Sequence, residues 1–164
     1  MRWLAFVAAL LAASCTTYGE MGFTGGVEHR QVGQQVYQIR AGGNAFARLG
    51  QIEDFIYLRA AEIGRDNGFS HFALLTDESG YRSETISTGG YNYSGTTNCS
   101  GSTCNTLGSM SGPTTSTIRK PDAEMRIMFF SPEQYNSLSP QEQAMTLAVD
   151  GVWNELAPQY LDTE

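Results

Sequence analysis

A hydrolase or metal site that depends on histidine would use His29 or His71, the two histidines of this chain. His71 lies in a short apolar run, and Asp77 and Ser79 follow it closely. A catalytic triad needs a nucleophile, a base and an orienting group that meet in space, which sequence neighbours on a turn do not provide. We therefore interpret His71 as a residue of a β-sheet and predict no catalytic residue, no cofactor and no metal ligand. A periplasmic hydrolase that uses His71 is the alternative.

Cys15 is the cysteine with the most specific surroundings. Arg2 and an apolar run from Trp3 to Ala13 precede it, which is the pattern of an export signal. The run is shorter than the roughly 20 apolar residues that a transmembrane helix needs. It ends in Leu-Ala-Ala-Ser directly before Cys15 and resembles the lipobox of bacterial lipoproteins, whose cysteine is acylated. We expect a signal peptide at 1–14 and acyl chains on Cys15. An ordinary secretory signal with a chance cysteine is the alternative.

Cys99 and Cys104 form an even pair once Cys15 is assigned to lipid. In a chain exported to an oxidising compartment, two remaining cysteines predict a disulfide. The ring would be small and would hold a loop tip. A zinc site is the alternative, but two cysteines without a nearby histidine do not supply four ligands.

Composition excludes one large class of function. The chain of 164 residues has 10 Lys and Arg against 17 Asp and Glu, a formal charge of −7, so it lacks the cationic surface that binds nucleic acid. Its hydrophobic content of 41% is enough for a folded core. We expect a single domain.

The hydrophobic periodicity predicts a β-α-β unit. A run from Gln34 to Ala41 alternates as a strand does, and residues 69–75 form a second, buried strand. Between them, apolar residues recur at helical spacing over one face, at Ile52, Phe55, Ile56, Ala60 and Ile63. A single crossover helix makes the two strands parallel if they share a sheet.

Further elements follow towards the C-terminus. Residues 78–88 and 124–130 have strand character, with a turn expected at 78–80. Ser131 and Ser139 each precede a proline and are expected to cap helices, the second running to Leu156 and ended by Pro158. The predicted fold is α+β, or a small α/β fold. It has roughly three to five strands and a C-terminal amphipathic helix on one face of the sheet.

The domain boundaries follow from composition. We expect the lipidated Cys15 and a flexible tether at 15–33, the folded domain at 34–158 and a tail at 159–164. Within the domain, residues 87–117 are rich in Gly, Ser, Thr and Tyr and are expected to form a long loop. Tyrosine with small polar residues is typical of recognition loops, which makes Tyr81, Tyr91, Asn92 and Tyr93 the candidate contact residues. A flexible, solvated loop is the alternative.

Charged residues of the helix are expected to be structural. Glu53-Asp54 and Glu62-Asp66 fall on its polar face, where solvated carboxylates are the default. Arg59 and Glu62, three residues apart, can stabilise the helix by a few tenths of a kcal/mol. Packing of this pair against a neighbouring strand turn is the alternative.

Three segments carry a resemblance to a known family. Together with the lipobox, these segments resemble a family of small bacterial envelope lipoproteins. They are Val36-Tyr-Gln-Ile with Gly43-Asn44, Tyr57-Leu-Arg-Ala-Ala-Glu, and Gly68-Phe-Ser-His-Phe. The resemblance covers residues 12 to 76. It implies a lipid-anchored module and brings no catalytic residues, because the family has no established activity.

The sequence therefore favours a lipid-anchored bacterial cell-envelope protein of structural or interaction type, in the outer membrane and facing the periplasm. Its partners would be the membrane, through Cys15, and an envelope protein or glycan. A freely soluble secreted binding protein is a further alternative.

Overall fold

The computed structural model of the chain describes residues 17–161, except the side chain of Tyr93. The predicted signal peptide and Cys15 lie outside the described residues. The chain divides into two compact units. We call residues 17–82 with 120–161 the main unit and residues 83–119 the hairpin unit.

The structure is built from seven strands and four helices in the described residues. The strands are β1 Gly26–Gln31, β2 Val36–Gly42, β3 His71–Thr88, β4 Asn92–Ser100, β5 Thr103–Ser111, β6 Thr114–Phe130 and β7 Leu147–Ala148. The helices are α1 Leu49–Asp66, α2 Pro132–Ser137, α3 Pro140–Gln143 and α4 Val149–Tyr160.

A five-stranded antiparallel sheet in the order β1-β2-β6-β3-β7 organises the main unit. Strands β2 and β3 lie on either side of β6 and therefore run in the same direction. The predicted β-α-β unit is thus present in a split form, with β6 inserted between its two strands. The α+β class is confirmed.

Helix α1 covers the sheet with the face that its apolar spacing predicts. Ile52, Phe55, Ile56 and Ala60 are all fully buried. They join a core built from alternate residues of β2 and β6, because successive side chains of a strand point to opposite faces. Phe129 of β6 lies within this core and packs edge-on against Tyr37, its ring centroid 5.4 Å away. The remaining strand residues of the core include Val27, Ile39, Ala41, Phe72, Ala123, Met125 and Ile127.

The predicted tether is wrong from residue 17 onwards. Strand β1 pairs with β2 along its whole length, and Val27 is fully buried. Tyr18 packs edge-on against Phe55, with ring centroids 5.4 Å apart. Only two residues of β1 are buried, so the strand has no hydrophobic alternation that a sequence pattern could show. Its stability comes from pairing with a neighbour.

The C-terminal helix is shorter than predicted and begins further along the sequence. Both serine caps are present as capping boxes, at Ser131 and Ser139. The helix from Ser139, however, stops after Gln143, and Leu147–Ala148 pair with β3 at the edge of the sheet. Helix α4 then starts at Val149, contains Pro158 and continues to Tyr160, so Pro158 does not end it.

The predicted boundary at 158 is also wrong. Tyr160 belongs to α4, its ring packs edge-on against Phe55 at 5.3 Å, and its hydroxyl donates to Asp54 at 2.7 Å. The predicted turn at 78–80 is absent, since β3 runs unbroken through it. These corrections arise where pairing or packing with distant residues outweighs a local signal.

Candidate functional site

The hairpin unit replaces the predicted loop at 87–117. Strands β4 and β5 pair antiparallel over nine residues each, in a two-stranded sheet of their own. The loop prediction was wrong because polar strands that bury nothing lack the hydrophobic pattern on which strand prediction relies. The solvation of the segment was predicted correctly, since no side chain described in residues 83–119 is buried.

The tip of the hairpin is closed by the predicted disulfide. Cys99 and Cys104 lie directly opposite each other in the register and are bonded. Gly101 and Ser102 form the two-residue turn beyond them, and Gly101 has a φ of 65°. A positive φ at the first of two loop residues is typical of a type II′ turn, in which glycine is preferred.

Small polar side chains form rows across the hairpin. On one face, Ser94 faces Ser109 with hydroxyl oxygens 3.2 Å apart. On the other face, Thr97 faces Thr106 with hydroxyl oxygens 2.9 Å apart. Charge is nearly absent, because Glu84 and Arg119 are the only charged residues between 83 and 119. The hairpin unit therefore presents hydroxyl and amide groups, and its electrostatic potential is weak because it has almost no charged side chains.

The candidate contact residues are divided between the two units. Tyr81 lies on the main-unit part of β3 and is 54% exposed. Tyr91, which is 72% exposed, and Asn92 lie in the hairpin unit. Tyr93 lies opposite Met110 in the register, and its side chain is outside the described part. Tyr91 and Asn92 remain the exposed candidates of the hairpin unit.

A second polar cluster lies in the main unit, around Arg59. The Arg59 side chain is 14% exposed, and its Nη2 donates to Oε1 of Glu20 at 2.9 Å. Its Nε lies 3.4 Å from Oε2 of Glu62, but it is buried and makes no hydrogen bond. The guanidinium also lies over the ring of Tyr18, 5.5 Å from the centroid. Arg59 and Glu62 thus secure the segment before β1. The sequence predicted solvated charges on the helix, with packing against a strand turn as the alternative.

Tyr18 completes this cluster. Its hydroxyl donates to Oε2 of Glu62 at 2.5 Å. Burial, and then the bond to the Glu62 carboxylate, raise the pKa of Tyr18 far above its ordinary value. Sequence reasoning missed Tyr18 and Glu20 because both lie in the glycine- and threonine-containing segment assigned to a tether. An aromatic residue in such a segment was the available signal.

An open depression of about 750 Å³ adjoins this cluster. His29 and Tyr37 line it from the sheet, and Arg59, Glu62 and Arg65 line it from α1. The Arg65 guanidinium stacks over Trp153 at 4.4 Å. Charges of both signs line the depression, so it has no strong preference for an anion or a cation.

His71 is half-buried on β3. Its ring stacks on Tyr135 with centroids 3.5 Å apart, and its Nδ1 lies 3.1 Å from the hydroxyl of Ser70. Burial lowers the pKa of His71, which favours the neutral ring at pH 7. Asp77 lies six residues along the same strand, roughly 20 Å away by the strand rise. His71 therefore has a hydroxyl neighbour in Ser70, and the strand keeps Asp77 out of reach of its ring.

Residues 17–161 contain neither a cluster of metal-ligating side chains nor a membrane-spanning helix. No group of three or more His, Cys, Asp or Glu residues within this range is placed to hold a metal ion. No helix in the described part is both long and apolar enough to cross a bilayer. Comparison with family models, with curated proteins and with solved structures finds no match to this chain.

Proposed function

We propose that this protein is a lipid-anchored, non-enzymatic module of the bacterial cell envelope that binds an envelope protein or glycan through its hairpin unit. The anchor would be the acylated Cys15, in the outer membrane and facing the periplasm. The proposal is consistent with the resemblance to small envelope lipoproteins, which the lipobox and the segments around Gly43, Arg59 and Gly68 carry.

One observation carries the binding part of the proposal. The hairpin unit exposes rows of hydroxyl and amide groups on a backbone whose register is held by the Cys99–Cys104 disulfide. Side chains held on paired strands lose less conformational freedom on binding than those of a flexible loop, so less affinity is lost to ordering. Tyr91 adds an exposed, rigid aromatic surface, which is typical of contact sites.

The anchor is tested by the intact mass of the protein purified from its native membrane. We expect residues 15–164 plus acyl chains, with two thiols that can be alkylated only after reduction. A chain without acyl mass would contradict the anchor and leave the soluble secreted protein.

Binding through the hairpin unit is tested by photo-crosslinking in intact cells. A benzoylphenylalanine is placed at Tyr91, which is 72% exposed, or at Met145 of the main unit, which is 78% exposed and serves as the matched control. We expect a discrete cross-linked product from Tyr91 and none from Met145. Equal labelling from both positions, or none from Tyr91, would contradict recognition through the hairpin.

A hydrolase remains the second candidate because the Ser70 hydroxyl lies 3.1 Å from Nδ1 of His71. The stacked Tyr135 covers the face of the imidazole, and the Ser70 hydroxyl is also within 3.5 Å of the Phe130 carbonyl oxygen. A fluorophosphonate probe, which labels activated serines, decides between the candidates. Labelling that is lost in both Ser70→Ala and His71→Ala would establish the hydrolase.

A further inference from the structure

The most exposed large apolar side chain of the described residues is Phe23. It lies in a tight turn in which Gly22 and Gly25 exchange backbone hydrogen bonds of 2.9 and 3.2 Å. Its relative exposure is 105%, so no neighbouring group covers the ring. The whole apolar surface of this ring lies in water, and an apolar or interfacial partner would remove it from water.

The turn that carries Phe23 is held firmly in place. Before it, Glu20 forms a bridge with Val27 and an ion pair with Arg59. Gly26 follows the turn with a φ of 132°, and a Cβ there would lie 2.5 Å from the Glu20 carbonyl oxygen. The close approach requires glycine and packs the two arms of the turn together. Phe23 therefore projects from an ordered support.

A second exposed phenylalanine and three cations lie at the same end of the sheet. Gly26 pairs with Gly42 at the end of β2, and Phe46, which is 83% exposed, follows four residues later. Arg40, Arg82 and Lys120 line one depression together with Phe23. Asp122 pairs there with Arg40 at 3.2 Å and with Arg82 at 3.9 Å, and Glu28 is the second anion, so three cations against two anions leave one net positive charge. We call Phe23, Phe46 and these three cations the Phe23 surface.

The position of Cys15 limits how far this surface can lie from a membrane. Tyr18 is fixed to α1 through Glu62 and Phe55. Only three residue steps separate Cys15 from Tyr18, and a fully extended chain spans at most about 11 Å over that length. An acylated Cys15 would therefore hold the main unit directly against the bilayer, because no long tether is available.

We propose that the Phe23 surface docks on the phospholipid bilayer that carries the acylated Cys15, with both phenylalanine rings in the headgroup region. The inference rests on the proposed anchor. Aromatic rings favour the interface between water and hydrocarbon, and cations beside them are attracted to anionic headgroups. Together with the acyl chains, the surface gives the protein a fixed orientation on the membrane as well as attachment to it.

The test uses the mature acylated protein, residues 15–164, in vesicles of phosphatidylethanolamine and phosphatidylglycerol, with or without bromine on the acyl chains. Trp153, the one tryptophan of the mature chain, is replaced by Phe, and a single reporter is introduced as Phe23→Trp or, as the matched control, Met145→Trp. Met145 is 78% exposed and lies next to β7, the strand at the opposite edge of the sheet from β1. Bromine quenches only a nearby indole.

We expect a blue-shifted emission and about a twofold loss of fluorescence for Phe23→Trp, and no loss for Met145→Trp, because an interfacial ring lies within several Å of the acyl chains. Acylated protein in which both reporters respond alike would overturn the docking of the Phe23 surface and leave the anchor intact. A mass without acyl chains would overturn the anchor and the docking together. The same sample thus separates the two failures.

Discussion

Tyr18 and Glu62, 44 residues apart, share a hydrogen bond of 2.5 Å between the phenol and the carboxylate. This bond fixes the segment before β1 to the C-terminal half of α1. It makes the start of the described chain part of the core and places the main unit within a few residues of the proposed anchor at Cys15.

The Tyr18–Glu62 bond predicts a loss of stability in alkali. The pKa of Tyr18 is raised in the folded state, so its contribution is complete below the ordinary tyrosine pKa of about 10 and decreases as the pH rises above it. Urea unfolding at pH 8 and pH 11 measures the effect. We expect Tyr18→Phe to reduce the difference between the two pH values.

Tyr160→Phe is the matched variant for that experiment. Burial and the bond to Asp54 raise the pKa of Tyr160 to about 12. Because pH 11 lies below the folded-state pKa of both phenols, Tyr160→Phe should remove a similar part of the alkaline loss. If neither variant changes the pH dependence, the folded protein does not hold these phenols in their neutral form.

The ion pairs of Arg59 predict that removing Arg59 costs more folding stability than removing the charge of Glu20. Arg59→Met leaves the Glu62 carboxylate, 25% exposed, without a cation and should destabilise the main unit by about 1 to 3 kcal/mol. Glu20 is 78% exposed, so Glu20→Gln should cost only about 0 to 1 kcal/mol. Urea unfolding of both variants compares them. If both variants lower the free energy of unfolding equally, the pairing of Arg59 with Glu62 adds nothing beyond its pairing with Glu20.

Two glycines of α1 predict effects of opposite sign. A Cβ on Gly64 would lie 2.6 Å from Cγ2 of Val149, so Gly64→Ala should destabilise the main unit by about 1 to 3 kcal/mol. Gly50 has no atom within 4 Å of such a Cβ, so Gly50→Ala should stabilise it by up to about 1 kcal/mol through helix propensity. Thermal unfolding measures both. A stabilising Gly64→Ala would contradict the close packing of α1 on α4.

The Cys99–Cys104 disulfide is expected to stabilise the hairpin unit alone. Reduction, or the double change Cys99→Ser and Cys104→Ser, opens a ring whose cysteines are five positions apart at the hairpin tip. We expect faster hydrogen exchange at 92–111 and a main-unit unfolding free energy unchanged within about 0.5 kcal/mol. Global destabilisation would show that the two units unfold together.

Local patterns predicted the elements that carry their own signal. The apolar face of α1 appears at the predicted spacing, and Ser131 and Ser139 form the predicted capping boxes. The disulfide followed from the number of cysteines and the predicted compartment. In each case the residues that interact lie close together in the sequence. The local pattern is therefore enough to predict the feature.

Long-range pairing decided the rest. Strand β7 has two residues, both exposed, and it exists because its backbone bonds to β3. That pairing breaks the helix predicted from Ser139 to Leu156. Similarly, β4 and β5 are strands without a buried face, and their register depends on each other. The periodicity of apolar residues indicates which side chains are buried. It gives no indication of a strand that is defined by backbone hydrogen bonds alone.

The amino-acid pattern was enough to predict the α+β class, the helix that covers the sheet, the two serine caps and the disulfide. Three features came from the folded chain instead: residues 17–31 join the main unit, β6 lies between β2 and β3, and Tyr18, Arg59 and Glu62 meet. The physical reason is that amphipathic burial and capping are local properties of a chain. In contrast, which segment pairs with a strand edge, and which residue pairs with a half-buried charge, depends on how distant parts of the chain pack together.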